Sequence, residues 1–321
     1  MEKIPSHRVL LIIGNGFDID LGLKTKYQDF VESSYFKDCL SGDFDAFRLI
    51  ESNYDFNIFD YLKYKYDKNQ GWIDVEHELA ELATRKTKSL NDNTIIWTRS
   101  IMGKRQNESF LLLKLQLNKY LDNIKTEANK TSYANRLLDI VNYSPLSTII
   151  SFNYTSLFSI DKDMSERNVQ YYQVHGTLTK DEQPHIILGF QDDLDIDKSY
   201  CRMIKSHQLG YHSSRIPDYL LKSDEIIFFG LSLGDVDYPY FSDFFKRQCI
   251  PTRDSRKIIS FFTFDENSRQ DILYQLRIMN DKRTRYFFEY NDLNFFRTKN
   301  KMDDKKIEEY FIRLRAKFMF Q

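Results

Sequence analysis

The sequence predicts an α/β protein, a doubly wound and mainly parallel sheet with a large helical insertion, on three observations. Apolar runs of strand length, Val9–Ile13 first among them, carry no polar alternation, as expected of strands buried on both faces. Helical stretches separate several of these runs, with short connections between them. Glycine is scarce, 11 in 321 residues, against a usual frequency of roughly 7%. Even so, Gly14, Gly16, Gly22, Gly176, Gly189, Gly230 and Gly234 gather in short regions at the ends of expected strands. A chain so poor in glycine places it where φ is positive or where a ligand nears the backbone, and strand ends are the ligand positions of an open α/β sheet.

Taken in order, Val9–Ile13 is the first strand, stopped by Gly14-Asn15-Gly16. From residue 30 to Ser144 there is almost no Gly or Pro, and Phe110, Leu113, Leu117, Leu121 and Ile124 recur at helical spacing. Strand signals resume at 147–152, after Pro145, and continue at 169–174, 185–188, 225–229, 257–264 and 285–290. Helices are expected at 198–209, 240–248 and 267–280, and a closing amphipathic helix at 303–318 with Ile307, Tyr310, Phe311 and Leu314 on one face.

Composition excludes several classes. Lys and Arg number 46 against 47 Asp and Glu, a net charge of -1, so there is no basic excess to hold a nucleic-acid backbone. Aromatic residues make up 15% of the chain, too many for disorder. The longest apolar runs fall far short of the roughly twenty residues of a membrane span, and no signal-peptide core precedes them. A cytoplasmic protein without a membrane partner is expected. Cys39, Cys201 and Cys249 lie far apart and form no Cys-x-x-Cys pair, so all three are expected to be reduced.

Five segments carry residue types suited to chemistry. Gly14-Asn15-Gly16-Phe17-Asp18, followed by Gly22 and by Thr25 and Tyr27, delivers a strand into a Gly-x-Gly turn, which lets backbone amides reach a phosphate. It fits neither the dinucleotide fingerprint, which needs a glycine where Ile19 stands, nor the P-loop, since Leu23 separates Gly22 from Lys24. Asn153, in Phe152-Asn153-Tyr154-Thr155, follows a strand and can donate and accept at once, toward a ribose hydroxyl, a water or its own turn. His175-Gly176 is the best-placed histidine for acid/base work, although a structural histidine fits the same pattern. Gly230-Leu231-Ser232-Leu233-Gly234 ends another strand; Ser232 suits a phosphate and Asp235 or Asp237 a ribose, or an acid there caps a helix. In Trp72-Ile73-Asp74-Val75-Glu76, Asp74 opens a helix, Trp72 packs, and Glu76 is a further side chain that the insertion could contribute.

Together these segments, in this order and over most of the chain, resemble the AbiH abortive-infection family of bacterial anti-phage proteins. More distantly the order is similar to the sirtuin-like NAD-consuming domains: Gly14-Asn15-Gly16 answers their Gly-Ala-Gly loop, Asn153 their strand-end asparagine, His175-Gly176 their His-Gly, and Gly230-Leu231-Ser232 their Gly-x-Ser. The resemblance implies a Rossmann-like, sirtuin-like fold with residues 1–30 and 146–290 as the nucleotide-binding domain, 31–145 as the helical insertion and 291–321 as the closing helix. It makes Asn153 and His175 the catalytic residues. Gly14, Asn15, Gly16, Asp18, Thr25, Tyr27, Gly176, Gly230, Ser232, Asp235 and Asp237 would hold the nucleotide. The chain departs from the sirtuin-like pattern in lacking the four-cysteine zinc module of the deacylases. It also has Thr155 where many such domains have Asp, and Asp18 in place of Ser.

The expected function is that of an anti-phage effector that hydrolyses the nicotinamide N-glycosidic bond of NAD or a related nucleotide. NAD would be substrate or ligand, with no resident cofactor or metal. A second copy of the chain or a phage-derived trigger are the partners to expect. Two other readings stay open. One is a nucleotide-binding sensor without catalysis, which Thr155 favours. The other is a magnesium-dependent nuclease built on Asp18, Asp20, Asp235 and Asp237.

Overall fold

Where the sequence runs apolar without alternation, the backbone is extended. A computed structural model describes residues 7–42, 57–90, 96–124, 129–142, 144, 146–157, 169–181, 183–211, 215–251 and 256–319. Its strands, in chain order, are β1 (Val9–Ile13), β2 (Ser147–Ser151), β3 (Gln170–Gln173), β4 (Gly176–Thr177), β5 (His185–Ile186), β6 (Glu225–Phe229), β7 (Ile258–Thr263) and β8 (Asp292–Arg297). Pro145 and parts of the 31–145 insertion lie outside the described residues, as do the ends of the chain.

One unit comprises Met1–Leu23, Lys125–Val174 and His212–Gln321. It holds a six-stranded sheet in the order β3-β2-β1-β6-β7-β8, with every neighbouring pair parallel. This is the α/β Rossmann-like arrangement that the apolar runs predict. The three central strands β1, β2 and β6 are buried along their whole length, while the edge strands β3 and β8 are largely half-exposed. The phenylalanines that raise the aromatic content form two rows across the sheet. Phe228, Phe261 and Phe295 stack in one, and in the other Phe229 stacks on Phe262 while Phe296 is tilted against it, with ring centroids 4.8–5.1 Å apart. Adjacent residues of a strand point to opposite faces, so the rows lie on opposite sides of the sheet. Phe241 of helix Tyr238–Arg247 packs on Phe228, and Phe311 of helix Lys301–Met319 packs on Phe262. Helices therefore cover both faces, as a parallel sheet requires.

The closing helix keeps Ile307, Tyr310, Phe311 and Leu314 buried, the stripe expected from the sequence. The strand expected at 285–290 is instead a helix, Thr284–Tyr290, and the edge strand follows it at Asp292–Arg297. Both segments contain a Phe-Phe pair, so composition does not separate them. The helix buries only Phe287 and leaves Tyr286 and Phe288 exposed, whereas the strand completes both phenylalanine rows.

The other unit comprises Lys24–Ile124 and His175–Tyr211. Helices Ile58–Lys68, Val75–Leu90 and Ile96–Asp122 supply most of it. The predicted stripe Phe110, Leu113, Leu117 and Leu121 is buried, and Ile124 falls just beyond the helix. A small antiparallel pair, β4 with β5, packs here too. Asn118 of the long helix holds the chain after β4 through both its amide atoms: Nδ2 donates to the Thr179 carbonyl at 2.6 Å and Oδ1 accepts from the Thr179 amide at 3.1 Å. The expected strand at 185–188 is thus confined to His185–Ile186, and the expected helix at 198–209 is two 3-10 turns, Lys198–Met203 and Lys205–His207. Trp72, expected to pack, is 59% exposed, whereas Asp74 opens helix Val75–Leu90 by accepting the Glu76 and His77 amides. No helix among the described residues is long and apolar enough to cross a membrane.

Candidate functional site

The strand order fixes where a ligand crevice belongs. From β1 the chain builds outward to β2 and β3 on one side, then returns to lay β6, β7 and β8 on the other. The crossovers that follow β1 and β6 lead to opposite sides of the sheet, and in open α/β sheets ligands bind beyond the carboxyl ends of strands at such a reversal. Register places Ile13 beside both Ser151 and Phe229, so Gly14, Phe152 and Gly230 emerge at one level.

Two of these loops are joined through their backbones. The Gly14 amide donates to the Phe229 carbonyl at 3.0 Å and the Gly16 amide to the Gly230 carbonyl at 2.9 Å. A Cβ on Gly16 would lie 2.6 Å from the Gly230 Cα, and one on Gly230 only 2.4 Å from the Gly16 backbone. Gly230 also has φ +64, in the left-handed region, while Gly16 belongs to the short helix Asn15–Asp20 and does not. The expectation that Gly16 stays bare to admit a ligand thus meets a nearer reason: the loops could not otherwise touch.

Under this junction lies a buried polar cluster. Asn153 Nδ2 donates to Asp18 Oδ1 at 2.8 Å and to the Gly14 carbonyl at 3.1 Å, and Thr155 Oγ1 donates to Asp18 Oδ2 at 2.5 Å. All three side chains are buried. Two acceptors facing Nδ2 fix the amide's orientation, because a flip would set Oδ1 against a carboxylate and a carbonyl. Desolvation by burial pushes the Asp18 carboxyl up to about 7, against the pull of the Thr155 and Asn153 hydrogen bonds. Gln173, at the end of β3, sets its Nε2 3.1–3.3 Å from the carbonyls of Asn153, Tyr154 and Thr155 and so holds the loop that carries them. Asp18 and Thr155, two positions at which the sequence departs from the sirtuin-like pattern, are therefore bonded to each other.

After β6, Ser232 is exposed and Leu233 takes φ +54, unusual for a residue with a branched side chain. Asp237 is buried at the start of helix Tyr238–Arg247, and Asp235 opens the 3-10 turn before it, its side chain outside the described set. Asn15 is exposed at the start of its helix. Asp20 does not join the cluster: its Oδ2 accepts the Ala134 amide at the start of helix Tyr133–Val141. Among the described residues no group of three or more His, Cys, Asp or Glu side chains is placed to hold a metal ion.

The remaining expected site residues belong to the helical unit, where Thr25 and Tyr27 are half-buried. His175 is buried there, and Lys205 Nζ lies 3.3 Å from its Nε2 while donating to Glu76 Oε2 at 2.9 Å. Lys205 is fully buried. Burial raises the Glu76 carboxyl, and the Lys205 ammonium beside it draws it back down, as does the Gly189 amide. Gly176 takes φ +76 and a Cβ there would lie 2.0 Å from the His185 carbonyl, so the β4–β5 pairing alone demands glycine.

Sequence reasoning missed Lys205, Gln173 and the bond between Asp18 and Thr155. A lone lysine gives no local signal of burial, and a glutamine that ends the strand Gln170-Tyr171-Tyr172-Gln173 gives no local signal of the loop carbonyls it meets. Asp18 was legible as a loop residue but not as a buried acid.

Fold and crevice define a Rossmann-like α/β protein with its polar residues gathered where the strand order reverses. Residues 10–261, most of the chain, match the model of the family described as Bacteriophage abortive infection AbiH. The chain belongs to the AbiH family of phage abortive infection proteins. No curated protein matches it.

Proposed function

We propose that the protein acts in abortive infection by binding NAD or a related nucleotide and hydrolysing its N-glycosidic bond. The observation that carries this reading is the cluster of Asn153, Asp18 and Thr155 beneath the Gly14–Gly16 and Gly230 loops, at the reversal of strand order. In open α/β sheets that crevice is where nucleotides bind. Cleavage passes through a ribosyl cation, so the site needs a positioned water and hydroxyl clamps more than a strong nucleophile. With Nδ2 committed to Gly14 and Asp18, Asn153 offers Oδ1 to that water or to a ribose hydroxyl. Water adds to the anomeric carbon, the bond to nicotinamide breaks, and the released proton passes to solvent. The Gly14 and Gly16 amides are committed to the loop junction, so the amides that follow Gly230 and the Ser232 hydroxyl hold the phosphates, with Asp237 toward the ribose. The test is release of nicotinamide and ADP-ribose from NAD, with activating phage components present, by wild type and by Asn153→Ala.

The sensor reading shares the crevice and differs in outcome: calorimetry would find a nucleotide bound and not consumed. Magnesium-dependent nuclease chemistry draws less support, because Asp20 caps a helix and Asp18 is engaged by Thr155 and Asn153.

A further inference from the structure

The buried Glu76–Lys205 pair lies in the helical unit, and its contact with His175 has a chemical consequence. An ammonium carries three donors and no acceptor. Lys205 Nζ, paired with the Glu76 carboxylate at 2.9 Å, sits 3.3 Å from His175 Nε2. That nitrogen must therefore accept, which leaves the ring proton on Nδ1. Protonation at Nε2 would remove the acceptor and bring two cationic donors together inside a site from which water is excluded. Glu76 is held in turn, since it also accepts the Gly189 amide. Gly189 has φ +134 and passes so near Met203 that a Cβ would lie 1.9 Å from the Met203 carbonyl. Helix Val75–Leu90, the turn at Lys205–His207 and the loop at Gly189 thereby converge on one ion pair. Among the described residues Lys205 faces His175, with Glu76 behind it and the Asp74 carboxylate acting on Glu76.

We infer that Lys205, backed by Glu76, is a positioning residue that holds His175 as the neutral Nδ1–H tautomer, so that His175 serves as a fixed hydrogen-bond donor and not as a proton acceptor. The role of that donor rests on the proposed nucleotide chemistry; the tautomer does not. Any nucleotide cleavage should then show no rise with pH that follows His175.

The experiment uses the full chain labelled with ¹⁵N-histidine, His175 being assigned by its loss in His175→Gln. Long-range ¹H–¹⁵N correlation distinguishes the two neutral tautomers and the cation. The expected result is an unprotonated Nε2 and a protonated Nδ1 that do not change from about pH 5.5 to about pH 8, the range over which an ordinary histidine changes charge. Lys205→Arg, which also supplies only donors, keeps that signature. In the double variant Glu76→Gln/Lys205→Met, which removes both charges and the donor to Nε2 together, the Nδ1–H signature is no longer held and the ring exchanges between its tautomers. A wild-type His175 that titrates in this range, or that carries its proton on Nε2, overturns the inference, as does a folded double variant with an unchanged signature. Absence of nucleotide turnover beside an intact Nδ1–H signature would count against the proposed reaction and leave this inference standing.

Discussion

Replacing Gly16 by alanine separates two roles for the first glycine loop. Gly16 lies in helix Asn15–Asp20, outside the left-handed region, so alanine meets no backbone strain there. In open space the substitution would stabilise the helix by up to about 1 kcal/mol. The added Cβ instead falls 2.6 Å from the Gly230 Cα and 3.1 Å from its carbonyl oxygen. Neither atom belongs to a side chain that can rotate away, so the loops must part. Separation weakens the Gly16–Gly230 and Gly14–Phe229 hydrogen bonds, each worth about 1 kcal/mol net. Overpacking adds about 1–3 kcal/mol. After the helical gain, a net loss of roughly 2–4 kcal/mol is expected. Gly22→Ala is the control: no atom lies within 4 Å of its Cβ, and only its φ of +89 is strained, which costs about 1 kcal/mol. The assay is urea unfolding followed by far-UV circular dichroism, with hydrogen exchange of peptides spanning β1 and β6. A Gly16→Ala protein as stable as wild type, with exchange at both loops unchanged, would refute the loop-junction argument and return Gly16 to a purely ligand-facing role.

Asp18→Asn tests the buried acid. A carboxyl raised to about 7 in the fold and near 3.9 when unfolded binds a proton more readily in the native state. Its stabilising contribution is therefore present at low pH and lost as pH rises from about 4 through about 7. Asparagine mimics the protonated acid, so the variant should match wild type at about pH 3.5 and exceed it at about pH 8, by up to roughly 4 kcal/mol; urea midpoints at the two pH values check this, and a parallel dependence in both proteins would count against it. Lys205→Met leaves Glu76 buried without its cation and should lose about 3–5 kcal/mol, most of which Glu76→Gln/Lys205→Met recovers. Thermal unfolding of the two variants decides, and equal losses in both would deny the pair its mutual dependence.

The parallel sheet was legible because its central strands are buried on both faces and carry unbroken apolar runs, as Val9–Ile13 and residues 226–229 do. The glycines marked the right strand ends for a reason only partly visible in sequence. Gly16 and Gly230 are 214 residues apart in the chain, and no local pattern says that each is the other's steric neighbour. The failures have the same origin. At 285–290 aromatic richness reads as strand, but tertiary packing gave that place in the sheet to Asp292–Arg297, where Phe295 and Phe296 extend two existing rows. Lys205 was unreadable because its burial depends on a carboxylate 129 residues away.

The central claim is that the crevice under the Gly14 and Gly230 loops binds and cleaves an NAD-like nucleotide. It is tested most directly by incubating the pure protein with NAD, activating phage components present, and quantifying nicotinamide and ADP-ribose by mass spectrometry beside an Asn153→Ala variant of equal stability. The account predicts stoichiometric release of both products by wild type and a loss on the order of 10²-fold in the variant, the scale expected when a reacting water is misplaced. No release by wild type, or equal release by both proteins, would contradict it.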